Sequence, residues 1–179
     1  MSGHLTVMEP DARFELLYVR HAPAVKAYVL RRGAGTHADD LVTEVFLVCL
    51  RRLDDLPEDP LPWLLGVARR VLGTHRRGER RRAALNERLN QVELASVPEG
   101  EGLEPALVAA LQCLSEQDRE LLLLIAWEGL TPGQAAAVLG LRAATLRVRL
   151  HRARSRFRVA LSGATADAST CPALPLETS

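Results

Sequence analysis

Apolar residues recur along this chain at three- and four-residue spacings. No stretch alternates apolar and polar positions for long enough to predict a strand. The spacing predicts helices over 11–31, 38–53, 60–82, 104–113, 116–128, 132–139 and 143–161. Gly33-Ala34-Gly35-Thr36 breaks the first from the second, and Asp54–Pro60 is a Pro/Asp connector before the third. The segment Ser96-Val97-Pro98-Glu99-Gly100-Glu101-Gly102 makes 89–103 an acidic linker. From Ser162 the chain is rich in Ala, Ser, Thr and Pro, the composition of a disordered tail. The expectation is an all-α fold of two small helical domains, 11–88 and 104–161. A flexible acidic linker, 89–103, joins them, and a tail, 162–179, follows.

The second domain carries the sharper local signal. Thr131 caps a helix start, Pro132 suits the first helical position, and Gln134 bonds back to the cap. Gly140 ends that helix eight residues on, where a left-handed residue is needed. A second helix follows within a few residues, which is a helix-turn-helix pattern. At about 100° per residue, Leu146, Leu150, Ala153, Phe157 and Leu161 share the face that buries. Ala144, Val148, His151, Arg152 and Ser155 lie opposite. Arg147, Arg154 and Arg158 flank one side, Arg149 and Arg156 the other. Such a helix fits a major groove, with guanidinium forks reaching guanine edges or phosphates.

Charge sharpens this picture. The net charge of +1 is uninformative, but its distribution is not. Residues 69–88 carry +6 and residues 142–161 carry +7, whereas 1–68, 89–141 and 162–179 carry −3, −7 and −2. Two arginine blocks in an otherwise acidic chain point to a polyanion gripped at two places. The first block lies on the helix from Pro62. There Leu64, Val67, Ala68, Val71 and His75 share one face, and Gly66, Arg69, Arg70, Gly73, Arg76 and Arg77 the other. Gly73 costs helix stability, so its place in a basic stripe suggests a bend or a close backbone approach. Trp63 reads as a core aromatic. The preceding helix opens with Asp39 and Asp40 and has a wide apolar face of Leu41, Val42, Val45, Phe46, Cys49 and Leu53. Its acids, with Glu44, either serve the helix dipole or face a basic partner.

Other chemistry is thinly represented. Cys49, Cys113 and Cys171 are scattered, which argues against a disulfide framework and a structural zinc site. His4, His21, His37, His75 and His151 are dispersed, and no Gly-rich phosphate loop, HExxH or GxSxG occurs. The expectation is a non-enzyme with no cofactor and no metal. No apolar run is long enough for membrane insertion, and no export signal precedes Asp11, so the expected compartment is the cytoplasm.

Taken together, the Asp39–Leu47 stretch, the Pro62-Trp63-Leu64 start and the Ala68-Arg69-Arg70 run resemble bacterial RNA polymerase sigma factors of the extracytoplasmic-function (ECF, group IV) type. So do Leu114–Leu124, Glu128–Thr131, Ala135–Gly140 and Thr145–Arg154, in the family's order, across about 12–161. The resemblance implies a dissociable subunit that binds core RNA polymerase, selects promoter DNA and promotes transcription initiation. It gives Asp40, Thr43, Glu44 and Phe46 an interface or supporting role against the clamp helices of the largest polymerase subunit. It assigns the minus-ten side of the promoter to Arg69, Arg70, Thr74, Arg76, Arg77, Arg80 and Arg81. The minus-thirty-five side falls to Arg142, Ala144, Thr145, Arg147, Val148, Arg149, His151 and Arg152. An anti-sigma factor is a further implied partner, and the linker is expected to thread the polymerase near the RNA exit path.

This chain departs from the family pattern at several of these positions. Arg70 stands where Asn is usual, Thr74 where Asp is frequent, and Thr43 where Gln is frequent. Arg142 replaces a usual Ser cap and Val148 a frequent Ser. The first two alter the strip that captures a flipped minus-ten base. Loss of the Ser cap weakens the reading helix by roughly 1 kcal/mol, and Val148 offers a methyl group to thymine. Two other readings fit the same residues: a stand-alone helix-turn-helix transcriptional regulator, and a sigma-like interaction protein without promoter activity.

Overall fold

Proline, glycine and short polar side chains set most helix ends. The computed structural model describes residues 10–86 and 104–166. In the first stretch, α1 spans Pro10–Leu30, α2 Ala38–Leu50 and α3 Pro60–Asn86. Short 3₁₀ turns at Gly35–His37 and Leu53–Asp55 separate them. In the second, α4 spans Pro105–Gln112, α5 Glu116–Ala126, α6 Pro132–Leu139 and α7 Ala143–Ala166. Among the described residues all regular structure is helical, as the spacing predicts. The chain forms two compact units that divide between Glu93 and Leu94.

In the N-terminal unit, α1, α2 and α3 pack on one another. Val25, Tyr28, Val29, Val45, Cys49, Leu64, Leu65, Val67 and Ala68 form the buried centre. α1 runs through Pro23, because burial of Val25, Tyr28 and Val29 holds the turns that the proline weakens. α2 ends three residues earlier than the predicted 53. Leu53 is still buried, but from the 3₁₀ turn rather than from a continuing helix. The Arg32 guanidinium lies 3.5 Å from the Tyr28 ring centre and donates to the Tyr28 carbonyl at 3.1 Å. Burial raises the pKa of the Cys49 thiol, with Arg13 opposing, so this cysteine stays protonated and unreactive at neutral pH.

Buried His21 gives this unit a pH dependence. Burial lowers its pKa from 6.5, the Arg20 charge lowers it further, and Asp59 partly opposes. The unfolded chain therefore binds the proton more readily than the folded one. The stability associated with neutral His21 is complete above the ordinary histidine value and is lost as pH falls through it. The melting midpoint of this unit is expected to drop between about pH 7.5 and about pH 5.5, and His21→Gln to flatten that drop. Circular dichroism melts across the series measure both.

In the C-terminal unit, α7 packs against α4, α5 and α6. Leu111, Leu114 and Leu123 form a buried cluster that Leu122 and Phe157 cover. Ser115 caps α5 by accepting from the Asp118 amide at 3.2 Å. Thr131 and Gln134 form the predicted capping box at α6, and Gly140 ends it with φ 66°. Arg119 closes the C-terminal end of α4: Nε donates to the Leu111 carbonyl at 2.8 Å, and one terminal nitrogen donates to Gln112 and Leu114, each at 3.2 Å. Burial lowers the Arg119 pKa and Glu116 opposes the shift.

The predicted start of the tail needs revision. α7 continues to Ala166, so the first residues of the predicted tail are helical, and the Ser162 hydroxyl donates to the Arg158 carbonyl at 3.0 Å. The predicted linker 89–103 lies outside the described residues, as does the rest of the tail.

Candidate nucleic-acid interface

Burial on one side of α3 leaves the other side for its arginines. Leu64, Val67, Ala68, Val71 and Leu72 face the core, while Arg69, Arg70, Thr74, Arg77, Arg80 and Arg81 are exposed. Three local bonds order this strip. The Thr74 hydroxyl donates to the Arg70 carbonyl at 3.0 Å, and Arg77 donates to that hydroxyl at 3.0 Å. Arg81 Nε donates to the Arg77 carbonyl at 3.2 Å. Arg76 differs from its neighbours. It is half-buried and donates to the carbonyl of Arg32 on the turn after α1, so it ties two parts of the unit together.

A cleft of about 450 Å³ opens between α2 and α3, lined by Glu44, Val48, Arg52, Trp63, Val67, Arg70, Val71 and Thr74. Its size suits a small planar ligand. It unites residues that the sequence reading kept apart: Glu44, assigned to polymerase, shares it with Arg70 and Thr74, assigned to DNA. Trp63 is half-buried and lines the same cleft rather than being enclosed in the core. Arg52, which the spacing puts near the end of the second predicted helix, belongs to neither arginine block.

The outer face of α2 repeats at helical spacing. Asp40, Thr43, Leu47 and Leu50 are exposed, with Glu44 beside them. Leu47 and Leu50 are 49% and 46% exposed, an apolar pair on a charged surface that the sequence reading missed. Thr43 donates its hydroxyl to the Asp39 carbonyl at 2.9 Å. Phe46 is only 2% exposed and meets the Tyr18 and Phe14 rings edge-on at 4.8 and 6.3 Å. It supports this face from within.

On α7 the periodic face behaves as predicted. Leu146, Leu150 and Ala153 are buried, with Phe157 and Leu161 half-buried. Arg142, Ala144, Thr145, Arg147, Val148, Arg149, His151 and Arg152 are all exposed, Val148 at 54%. The arginines divide into two sets. Arg149 donates to the Gln117 side chain at 3.2 Å, and Arg156 pairs with buried Asp118 at 2.8 Å, both partners lying on α5. Among the described residues, no side-chain hydrogen bond or ion pair occupies Arg142, Arg147, Arg152 or Arg154.

A pair of helical units, one with an arginine-faced helix beside a cleft and one with a basic helix-turn-helix, defines a two-part DNA-binding protein of the sigma-70 class. Residues 17–82 match sigma-70 region 2 and residues 105–157 match sigma-70 region 4. The ECF RNA polymerase sigma factor EcfG of Rhodopseudomonas palustris is 32% identical over 144 residues, covering 78% of this chain and 80% of that protein. The ECF RNA polymerase sigma factor BldN of Streptomyces coelicolor is 31% identical over 155 residues. That match covers 81% of this chain but only 58% of the relative's length. In fold, the chain is similar to the sigma factor RpoE of Bartonella quintana, solved in complex with the anti-sigma factor NepR. The TM-score is 0.63 and the identity 23%, covering 83% of this chain and 96% of that one. The chain belongs to the ECF family of RNA polymerase sigma factors, whose members are non-enzymatic transcription initiation factors that bind core polymerase and promoter DNA. Among the described residues no helix is long and apolar enough to cross a membrane.

Proposed function

We propose that this chain is a cytoplasmic, non-catalytic ECF sigma factor that grips one promoter with two separate helices. Residues 11–88 form the domain that binds polymerase and opens the minus-ten element, 104–161 form the domain that reads the minus-thirty-five element, and 89–103 link them. The exposed guanidiniums of α3 and α7, displayed on two independent scaffolds, carry this reading. Asp40, Thr43, Glu44, Leu47 and Leu50 make the face offered to the polymerase clamp helices, with Phe46 behind it. Arg69, Arg77, Arg80 and Arg81 hold the backbone of the opening duplex, and Arg76 keeps their helix in place. The cleft beside Arg70 and Thr74 receives one unpaired base, with Trp63 as its apolar wall. Binding energy drives the opening, since a flipped base costs a few kcal/mol to unstack.

RpoE of Bartonella quintana was solved in complex with an anti-sigma factor, and the exposed leucines of α2 offer an apolar surface to a partner of that class here. The test is transcription from a randomised promoter library with added core polymerase. Enrichment of two spaced elements is the expected result; transcripts that do not depend on this chain would refute the reading.

Gly73 and Gly78 give a narrower test. A methyl group at Gly73 meets no heavy atom other than an Arg77 nitrogen at 3.6 Å, and one at Gly78 meets none within 4 Å. Packing within the unit therefore does not require glycine at either place. Gly73→Ala is expected to stabilise the unit by about 0.5–1 kcal/mol. If the bare backbone serves DNA, the same variant slows open-complex formation, as read by permanganate reactivity of unpaired thymines.

A further inference from the structure

The fold brings His37 onto a pair of residues some forty positions later in the chain, and none of the three belongs to the surfaces assigned above. His37 ends the 3₁₀ turn before α2, and His75 and Glu79 sit one turn apart on α3. His37 Nε2 lies 3.8 Å from one Glu79 carboxylate oxygen, and His75 Nδ1 lies 3.5 Å from the other. The imidazole ring centres are 4.7 Å apart, and all three ligand atoms fall within 4.8 Å of one another. His37 occupies the position before α2 without making a side-chain capping bond. Glu79 is one of two acids among the eight arginines of 69–88, yet the side chains nearest its carboxylate oxygens among the described residues are the two imidazoles.

We propose that His37, His75 and Glu79 bind a divalent transition-metal ion of the zinc class. Tetrahedral zinc with bonds of about 2.0–2.1 Å separates neighbouring ligand atoms by roughly 3.3–3.4 Å. One carboxylate oxygen serves as ligand, and the three ligand atoms, now within 4.8 Å of one another, draw together by up to about 1.5 Å. Rotation of the Glu79 carboxylate and of the His37 ring, whose side chain is 51% exposed, supplies that movement. Two imidazoles and one carboxylate favour zinc, cobalt or nickel over magnesium or calcium, which take oxygen ligands. Three protein ligands leave a fourth position for water. The His75–Glu79 spacing of one helical turn puts both on one side of α3. The ion ties the turn before α2 to the basic half of α3, next to Thr74 and Arg77.

The test is calorimetric titration of the full chain with zinc chloride, beside His37→Gln and Glu79→Gln variants. Both positions are about half exposed, and helix content by circular dichroism checks that each variant is folded. One zinc per chain is expected, with affinity reduced at least tenfold in each variant. Cobalt substitution should give the visible spectrum of a nitrogen–oxygen tetrahedral site. On the wild-type chain, which removes any dependence on variant folding, zinc should shift the ring resonances of His37 and His75 and leave those of His21 and His151 in place. Absence of saturable zinc uptake overturns the proposal, as do equal affinities across the three proteins or sulfur-to-cobalt charge transfer from a cysteine site. These readouts need neither polymerase nor DNA, so they stand or fall apart from the sigma-factor reading.

Discussion

Arg156→Ala is expected to unfold the C-terminal unit well below the wild-type melting temperature while leaving the exposed side chains of α7 chemically intact. Asp118 is 7% exposed, and its carboxylate meets Arg156 at 2.8 Å. Removing the guanidinium strands a carboxylate in a nearly dry site. Breaking a fully buried pair from one side costs about 3–5 kcal/mol. The Arg156 side chain is 36% exposed, so water recovers part of that, and a loss of about 2–3 kcal/mol is expected. In a domain this small each kcal/mol moves the midpoint by roughly 4–8 °C. Thermal melts of the full chain should therefore show the C-terminal transition falling by roughly 10–20 °C. Asp118→Asn with Arg156→Met should recover most of it, since a neutral pair of similar volume has no charge to strand. A midpoint unchanged in Arg156→Ala would show that the pair contributes nothing.

Arg147→Ala should do the reverse. Its side chain is exposed on the second turn of α7, and among the described residues nothing holds it. The expected melting midpoint is that of wild type. With core polymerase, affinity for a promoter carrying the upstream element should fall about 5- to 150-fold, the equivalent of one base-reading arginine at about 1–3 kcal/mol. The salt dependence of the residual binding then discriminates between roles. An arginine that touches only phosphate lowers the slope of log affinity against log salt by about one and weakens all sequences alike. An arginine that reads a guanine weakens one sequence most. Unchanged promoter affinity would remove α7 from the major groove.

These two arginines also show what the sequence displays and what it hides. The helix-turn-helix was readable because its signals are local: Thr131, Pro132 and Gln134 open α6, and Gly140 closes it. The buried face of α7 followed from spacing alone, and Leu146, Leu150 and Ala153 lie where the helical repeat puts them. A count of charges, by contrast, treats Arg147 and Arg156 as equals. Their separation depends on Asp118, 38 residues away on another helix. Arg76 is the same case in the other unit, anchored to a carbonyl 44 residues back. Phe46 shares a helix with exposed Asp40 and Glu44 yet is buried against Tyr18, a partner that only the packing of α1 on α2 supplies. The cleft was hidden for the same reason, since Glu44 and Arg52 meet Arg70 and Thr74 across two helices.

α6 has one more implication. It is eight residues long, closed at both ends by its own capping groups, and helices shorter than about 12–15 residues are marginal in water. A synthetic peptide of this segment should be coil, and the segment becomes helical only once α7 and α5 supply a surface for Ala135, Ala136 and Val138. The recognition motif is thus a late product of folding. Any nascent chain halted before α7 emerges from the ribosome would carry its first helix as unstructured polypeptide, unable to touch a promoter prematurely.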